Sequence, residues 1–209
     1  MIERIKYGNT NTYLLRGTGG AVLVDTDYAG TMSAFYGAIK ERGVRVSDIT
    51  YVLATHYHPD HVGLVGALTE QGVGLLLMES QVDSVHFADE IFAREHRSGY
   101  LPIDENRARI VRFDESRSFL SELGIAGEII QTPSHSKDSI SVILDCGACI
   151  VGDLEPIDFL PAYERNEALM NDWDRILAYK PERILYAHAN EKVLRVEGEG
   201  RKEIITVEQ

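Results

Sequence analysis

The chain has 209 residues, with 21 Lys plus Arg against 33 Asp plus Glu and a formal net charge of −12. That charge repels phosphate backbones and argues against a nucleic-acid partner. The length suits one domain, 1–209, with a sizeable core, because nothing Pro-rich, Ser-rich or repeated divides it. No segment is apolar for the length a bilayer span requires, and Met1 to Lys6 lack a signal peptide's apolar run, so the expectation is a cytoplasmic protein with no membrane partner.

In chain order, strands are expected near 2–7, 11–16 and 20–25, followed by a helix over 30–43 in which Met32, Phe35, Tyr36 and Ile39 recur at helical spacing. Ile49 to Ala54 is a short, mostly apolar run rich in β-formers and predicts a buried strand. It leads into Thr55-His56-Tyr57-His58-Pro59-Asp60-His61. Three histidines and a carboxylate are packed here, all ligands for first-row metals and more than one tetrahedral ion takes from a single loop. Pro59 suits the first turn of a helix that His61 to Leu68 can continue, so the motif spans a strand-to-helix loop. His56 and His58, two apart in an extended segment, can point together at one ion while Asp60 and His61 turn toward a second. A solvated surface loop would account for a lone histidine, but not for four ligands this close. Two metal ions are therefore the first hypothesis.

After this loop come a strand at 74–78, a less regular insertion over 80–108, strands near 109–113, 126–131, 139–145 and 148–152, a helix near 165–179 and a strand at 183–186. The order predicts an α/β fold, a four-layer αββα sandwich of two mixed β-sheets with outer helices. The tail from Val193 to Val207 is either a terminal hairpin or partly disordered. In the insertion, His86 and His96 are expected at the surface or on a lid, with a pocket-lining role open. Phe87, Ile91, Phe92, Tyr100 and Leu101 are expected to serve the core or a homodimer contact rather than a substrate surface. Cys146 and Cys149 read best as structural thiols, with Asp145 to Ala148 a tight turn between two strands, since a redox pair of this spacing belongs at a helix N-terminus.

The pattern His56-x-His58-x-Asp60-His61 resembles the signature of the metallo-β-lactamase-fold hydrolase superfamily, and the resemblance spans nearly the whole chain. The later motif positions have matches at His135, within Thr132-Pro133-Ser134-His135, at Asp153 after Ile150-Val151-Gly152, and at His188 after Ile184-Leu185-Tyr186-Ala187. Two glycine-bearing turns depart from the family pattern. Ser134 stands where the family has Gly, and Ala187-His188-Ala189 replaces Gly-His-Gly, which leaves the ligands in place and bears only on the local backbone. The resemblance implies that His56, His58 and His135 hold one divalent ion and Asp60, His61 and His188 another, with Asp153 bridging. Zinc is the first expectation, iron or manganese the alternatives. Asp25, at the end of an opening strand, is either a turn residue or, as the resemblance implies, the carboxylate that orients a ligand histidine. Asp27 and Tyr28 replace a glycine frequent at that turn.

The implied activity is hydrolysis by a metal-bridging hydroxide, with Asp60 orienting the nucleophile or delivering a proton. The run Leu154 to Tyr163 follows Asp153 directly and is expected at the pocket mouth. Phe159 and Tyr163 are the candidate substrate contacts there, and its apolar character favours an ester, thioester or lactone-type small molecule. Glyoxalase II relatives carry an additional helical domain, and acyl-homoserine lactonases place a Tyr near the bridging Asp where Pro156 and Ile157 stand here, so neither fixes the substrate. The alternative is a redox enzyme on the same fold, an iron-dependent persulfide dioxygenase above all, since such enzymes keep the histidines and use a single iron.

Overall fold

In the computed structural model, which describes residues 1–163 and 165–194, the first sheet begins with three antiparallel strands, β1 (Ile2–Lys6), β2 (Asn11–Arg16) and β3 (Ala21–Val24). Helix α1 (Met32–Glu41) then crosses over to β4 (Tyr51–Leu53), which pairs parallel to β3. Strands β5 (Gly74–Met78) and β6 (Arg109–Val111) extend the sheet in the same direction, giving six strands in chain order. In the second sheet, β7 (Gly127–Gln131), β8 (Ile140–Leu144) and β9 (Ala148–Gly152) form an antiparallel meander. Strand β10 (Arg183–Tyr186) lies parallel to β9, and β11 (Lys192–Val193) closes the edge. Both sheets are therefore mixed.

Three apolar clusters define the layers. Between the sheets, Leu15, Val22, Leu53 and Leu76 of the first meet Ile129, Val142, Ile150 and Leu185 of the second. The outer face of the first sheet packs Leu23, Val52 and Leu75 against Phe35 and Ile39 of α1, Leu68 of α3 (Val65–Glu70) and Phe92 of α4 (Asp89–Arg94). The outer face of the second packs Ile143, Cys149 and Ile184 against Leu169, Trp173 and Ile176 of α6 (Glu167–Ala178). Strands covered on both faces explain why the sequence reads as continuous apolar runs rather than as alternation. Each fully buried Leu or Ile contributes about 1.5 to 3 kcal/mol of transfer free energy. Among the described residues no helix is long and apolar enough to cross a membrane.

The structure departs from the expected elements in three places. The helix expected to run on from His61 is split into α2 (Pro59–Val62) and α3, with Gly63 and Leu64 between them. Thr26 is the cause: its backbone N–H and its hydroxyl both donate to the His61 carbonyl, at 2.9 and 3.0 Å, and its hydroxyl oxygen accepts the Leu64 N–H at 3.3 Å. Those groups are the ones a continuing helix would use. A helix that the pattern did not announce, α5 (Ser116–Glu122), buries Phe119 and Leu120 against the end of the inter-sheet core. The insertion holds α4 and two short 3-10 stretches, Glu79–Ser84 and Glu105–Arg107. The Cys146 turn forms as expected, with Gly147 at φ +81°, Cys146 exposed and Cys149 buried in β9, where burial pushes its thiol pKa up. Of the tail, Val193 ends β11, and the expectation from residue 195 onward lies outside the described residues.

Candidate metal centre

Asp25, His56, His135, Asp153 and His188 all sit just past the C-terminal ends of strands, after β3, β4, β7, β9 and β10. Parallel pairing places these loops side by side. Val24 pairs with Leu53, so Asp25 adjoins Thr55, and Tyr186 pairs with Gly152, so His188 adjoins Asp153. Gly152 has φ +58° and a Cβ there would lie 2.4 Å from the Thr55 hydroxyl, so this position requires glycine.

Each loop is clamped by a distant polar group. The Asp138 carboxylate accepts the Tyr57 N–H at 2.8 Å, joining the first ligand loop to the His135 loop. Asp172 of α6 accepts the Ser134 N–H at 2.7 Å. The Asn11 side chain donates to the Tyr186 and Ala189 carbonyls at 2.9 and 3.1 Å, holding His188 from both sides. Ser134 and Ala187 are not among the residues with positive φ, so the family's glycines are replaced there without backbone strain.

Two clusters result: His56, His58 and His135 in one, and Asp60, His61, Asp153 and His188 in the other. Asp153 faces both. Its Oδ1 lies 3.2 Å from His61 Nε2 and 3.3 Å from His188 Nε2, while its Oδ2 lies 3.7 Å from His56 Nε2 and 3.8 Å from His135 Nε2. His58 Nδ1 and His135 Nε2 are 3.2 Å apart, and His61 Nε2 and His188 Nε2 are 3.3 Å apart. Tetrahedral bonds of about 2.0 to 2.1 Å to nitrogen put neighbouring donors about 3.3 to 3.4 Å apart, so these spacings are those of ligands around a shared point. Buried His56 Nε2 and Asp153 Oδ1 have no hydrogen-bond partner, a costly arrangement unless a cation satisfies them.

Asp25 is fully buried and takes a left-handed backbone, φ +59°. Its Oδ1 accepts the Thr55 N–H at 2.6 Å, its Oδ2 accepts the Thr55 hydroxyl at 2.9 Å, and Oδ2 stands 3.1 Å from His61 Nδ1. That approach favours the orienting role of its two alternatives: Asp25 Oδ2 faces Nδ1 without an aligned hydrogen bond, which leaves Nε2 of His61 aimed at the second cluster. Without an ion, the titrating groups are strongly perturbed. Burial lowers the pKa of His56 and His58, and the neighbouring imidazoles lower both further. Burial opposes protonation of His61 too, but Asp25 and Asp153 outweigh it and push its pKa up to about 10. Burial would raise Asp60, yet the hydrogen bond from His188 and the His61 charge hold it down to about 2.

The Metallo-beta-lactamase superfamily profile matches residues 5–188. This chain belongs to that superfamily. It is 26% identical over 183 residues to a beta-lactamase-like protein 2 homolog of Drosophila melanogaster, covering 87% of this chain and 59% of the relative. It is 27% identical over 149 residues to a probable metallo-hydrolase of Methanocaldococcus jannaschii, covering 70% and 68%. Among solved structures, a metallo-beta-lactamase family protein of Thermus thermophilus superposes with a TM-score of 0.69 at 22% identity, over 91% of this chain and 72% of that one. The superfamily fold accounts for the layered sandwich, and the chain spans about three-fifths of the Drosophila relative's length.

The seven ligand positions of the superfamily pattern converge, whereas Phe159 and Tyr163 do not join them. Both lie on a 3-10 stretch, Ile157–Tyr163. Phe159 lines a groove with Arg4, Tyr13, Arg183 and Leu185, and Tyr163 lines a shallow one with Pro161, Arg165 and Glu167; neither wall includes a ligand residue. This stretch lies beside the β10–β11 edge, and substrate contact by Phe159 or Tyr163 is a matter for kinetics rather than for these walls. The insertion also reaches the centre: the exposed Phe87 ring sits 5.2 Å from the His58 ring. Asn9, Tyr28, Thr31 and Arg97 line a cavity of about 840 Å³ together with Asp60 and His188. His86 is an exposed residue paired with Asp89 and Glu105, and the wall of that cavity includes neither His86 nor His96.

Proposed function

We propose that this chain is a metal-dependent hydrolase whose binuclear centre acts on small-molecule esters, thioesters or lactones. The observation that carries the reading is Asp153, which presents one carboxylate oxygen to each of two ligand clusters. The donor set of imidazole nitrogen and carboxylate oxygen, at tetrahedral spacing, supports zinc as the ion. Bound there, a pair of divalent cations supplies a water of lowered pKa and a polarised carbonyl, so no Ser or Cys nucleophile is needed. Asp25 fixes the ring of His61, and Asp153 fixes the separation of the clusters. Asp60, half-exposed with its Oδ2 3.0 Å from His188 Nε2, would be an ionised carboxylate beside the ion and suits orienting a hydroxyl better than delivering a proton. Phe87 offers an apolar wall beside His58 for the acyl part of a substrate. The names of the relatives, a probable metallo-hydrolase and beta-lactamase-like proteins, agree with this class.

A one-iron persulfide dioxygenase is the weaker reading, since a single ion has no use for the second cluster of Asp60, His61 and His188. Elemental analysis and a panel of ester, thioester, lactone and persulfide substrates decide between them. The expected result is close to two ions per chain, hydrolysis of at least one acyl substrate, and a loss of turnover of about tenfold or more in Asp153→Asn. One ion after saturation with zinc, or unchanged turnover in Asp153→Asn with both ions bound, would overturn the proposal.

A further inference from the structure

The cavity beside Asp60 and His188 has a single Lys or Arg in its wall, Arg97. This residue comes from the insertion, and its position is built rather than incidental. Its backbone N–H donates to the Phe92 carbonyl at 3.1 Å, closing the end of α4. Gly99, at φ +85°, packs against Gly30, at φ +94°, close enough that a Cβ on Gly99 would lie 3.7 Å from the Gly30 Cα. The loop carrying Arg97 is thereby seated on the turn that follows β3. The guanidinium lies over the Tyr28 ring at 4.7 Å, and that ring also makes an edge contact with Phe92 at 5.0 Å. Glu95 ties the pair together, accepting the Tyr28 hydroxyl at 2.7 Å and Arg97 Nε at 3.3 Å.

What remains free is the end of the guanidinium. Nε is engaged by Glu95 and the Tyr28 hydroxyl lies close by, but neither terminal nitrogen has a carboxylate hydrogen-bond partner among the described residues. The other charges of the wall are already committed. Asp27 is buried and accepts the backbone N–H groups of Tyr28 at 2.6 Å and Thr10 at 3.3 Å, while Asp60 belongs to the metal centre. A planar fork with two open donors, stacked on an aromatic ring, is the geometry that receives a carboxylate bidentately. A chain of net charge −12 attracts no anion at long range, so an anionic substrate needs such a local donor.

We propose that Arg97 binds a carboxylate of the substrate, so that the substrate class is an acyl compound carrying a second, anionic end. This rests on the hydrolase reading for the chemistry, but the binding of the anion is separable from it. The test is calorimetric titration of the metal-loaded wild type, Arg97→Gln and Arg97→Lys with glutarate and with butyrate, which share one carboxylate and differ by the second. The expected result is tighter binding of glutarate by the wild type, a loss of about tenfold of that preference in Arg97→Gln, and partial recovery in Arg97→Lys, which keeps the charge without the fork. In parallel, the selectivity in kcat/KM for the mono-4-nitrophenyl ester of glutarate over 4-nitrophenyl butyrate should fall by a similar factor in Arg97→Gln. A glutarate preference absent in the wild type, or equal in wild type and Arg97→Gln at unchanged melting temperature, overturns the proposal. If neither ester is cleaved while the glutarate preference depends on Arg97, the hydrolase reading fails and the anion subsite stands.

Discussion

Asp25→Asn separates the roles of the two ligand clusters. The substitution is nearly isosteric, and Asn tolerates the left-handed backbone at φ +59°, so strain does not obscure the result. The amide oxygen keeps the Thr55 N–H, now 2.6 Å from Oδ1, and the new NH₂ takes the place of Oδ2, 2.9 Å from the Thr55 hydroxyl and 3.1 Å from His61 Nδ1. A donor facing Nδ1 forces that nitrogen to accept and moves the ring proton to Nε2, the nitrogen aimed at Asp60, Asp153 and His188. A protonated Nε2 does not ligate. Affinity for the second ion should fall about tenfold to a hundredfold, as for other changes to a group that orients a ligand, while the ion held by His56, His58 and His135 stays. In ion-free protein two hydrogen bonds to the buried carboxylate become neutral ones and its pairing with charged His61 is lost as well, so stability falls by more than about 2 kcal/mol. Competition with a coloured chelator, followed by elemental analysis and urea denaturation in chelator, reads both quantities. Two ions bound at wild-type affinity, or both weakened equally, would refute the assignment of Asp25 to His61.

Gly63→Ala should destabilise by about 1 to 3 kcal/mol, because a Cβ there would lie 2.2 Å from the Ala29 nitrogen and 2.5 Å from the Asp27 carbonyl oxygen, both backbone; an unchanged melting temperature would sink this. His86 donates to Asp89 at 2.8 Å and Glu105 at 3.0 Å, and the Asp89 bond above all, against the opposing effect of burial, raises its pKa. Its stabilisation is therefore complete below the unfolded value of about 6.5 and fades as pH rises through the higher folded value; since the ring is half-exposed it amounts to less than about 1 kcal/mol. Wild type should exceed His86→Gln in stability more at pH 6 than at pH 9, and an NMR titration of the ring at or below 6.5 would contradict it. Phe159→Ala should leave KM for acyl substrates unchanged, as its groove contains no ligand residue, and a raised KM would return the 157–163 segment to the substrate site.

How much of this was legible in the sequence follows from where the deciding contacts lie. Four of the seven ligands fall within residues 56 to 61 at the end of an apolar strand, so chemistry and spacing coincide in one window, while His135, Asp153 and His188 are single residues that only the family pattern identified. The clamps that aim them are less accessible still. Tyr57 meets Asp138 across 81 positions, Ser134 meets Asp172 across 38, and Asn11 reaches Tyr186 across 175. Each is one polar residue without periodicity, and nothing local distinguishes it from a solvated side chain. The same limit explains the split between α2 and α3, where Thr26 takes up the hydrogen bonds of a helix 35 residues away. Hydropathy can say that Phe87 and Phe159 are apolar, but not which faces the metal centre, because that depends on how their segments dock on other elements.

The division has a physical basis. Ligands at the C-terminal ends of strands inherit their positions from parallel registry, in which Val24 meets Leu53 and Tyr186 meets Gly152, and registry is set by the buried apolar runs that a sequence displays openly. Residues that line the rim inherit theirs from a docked insertion, whose place is fixed by a few close contacts such as Gly99 on Gly30 and Arg97 on Tyr28. The centre is therefore the part of the molecule that the sandwich itself dictates, and the rim is the part free to change without disturbing it. That freedom makes the insertion the place where one superfamily chain acquires a substrate preference different from another's. It also places the test of specificity at Arg97 and Phe87, while tests of the chemistry belong at Asp25 and Asp153.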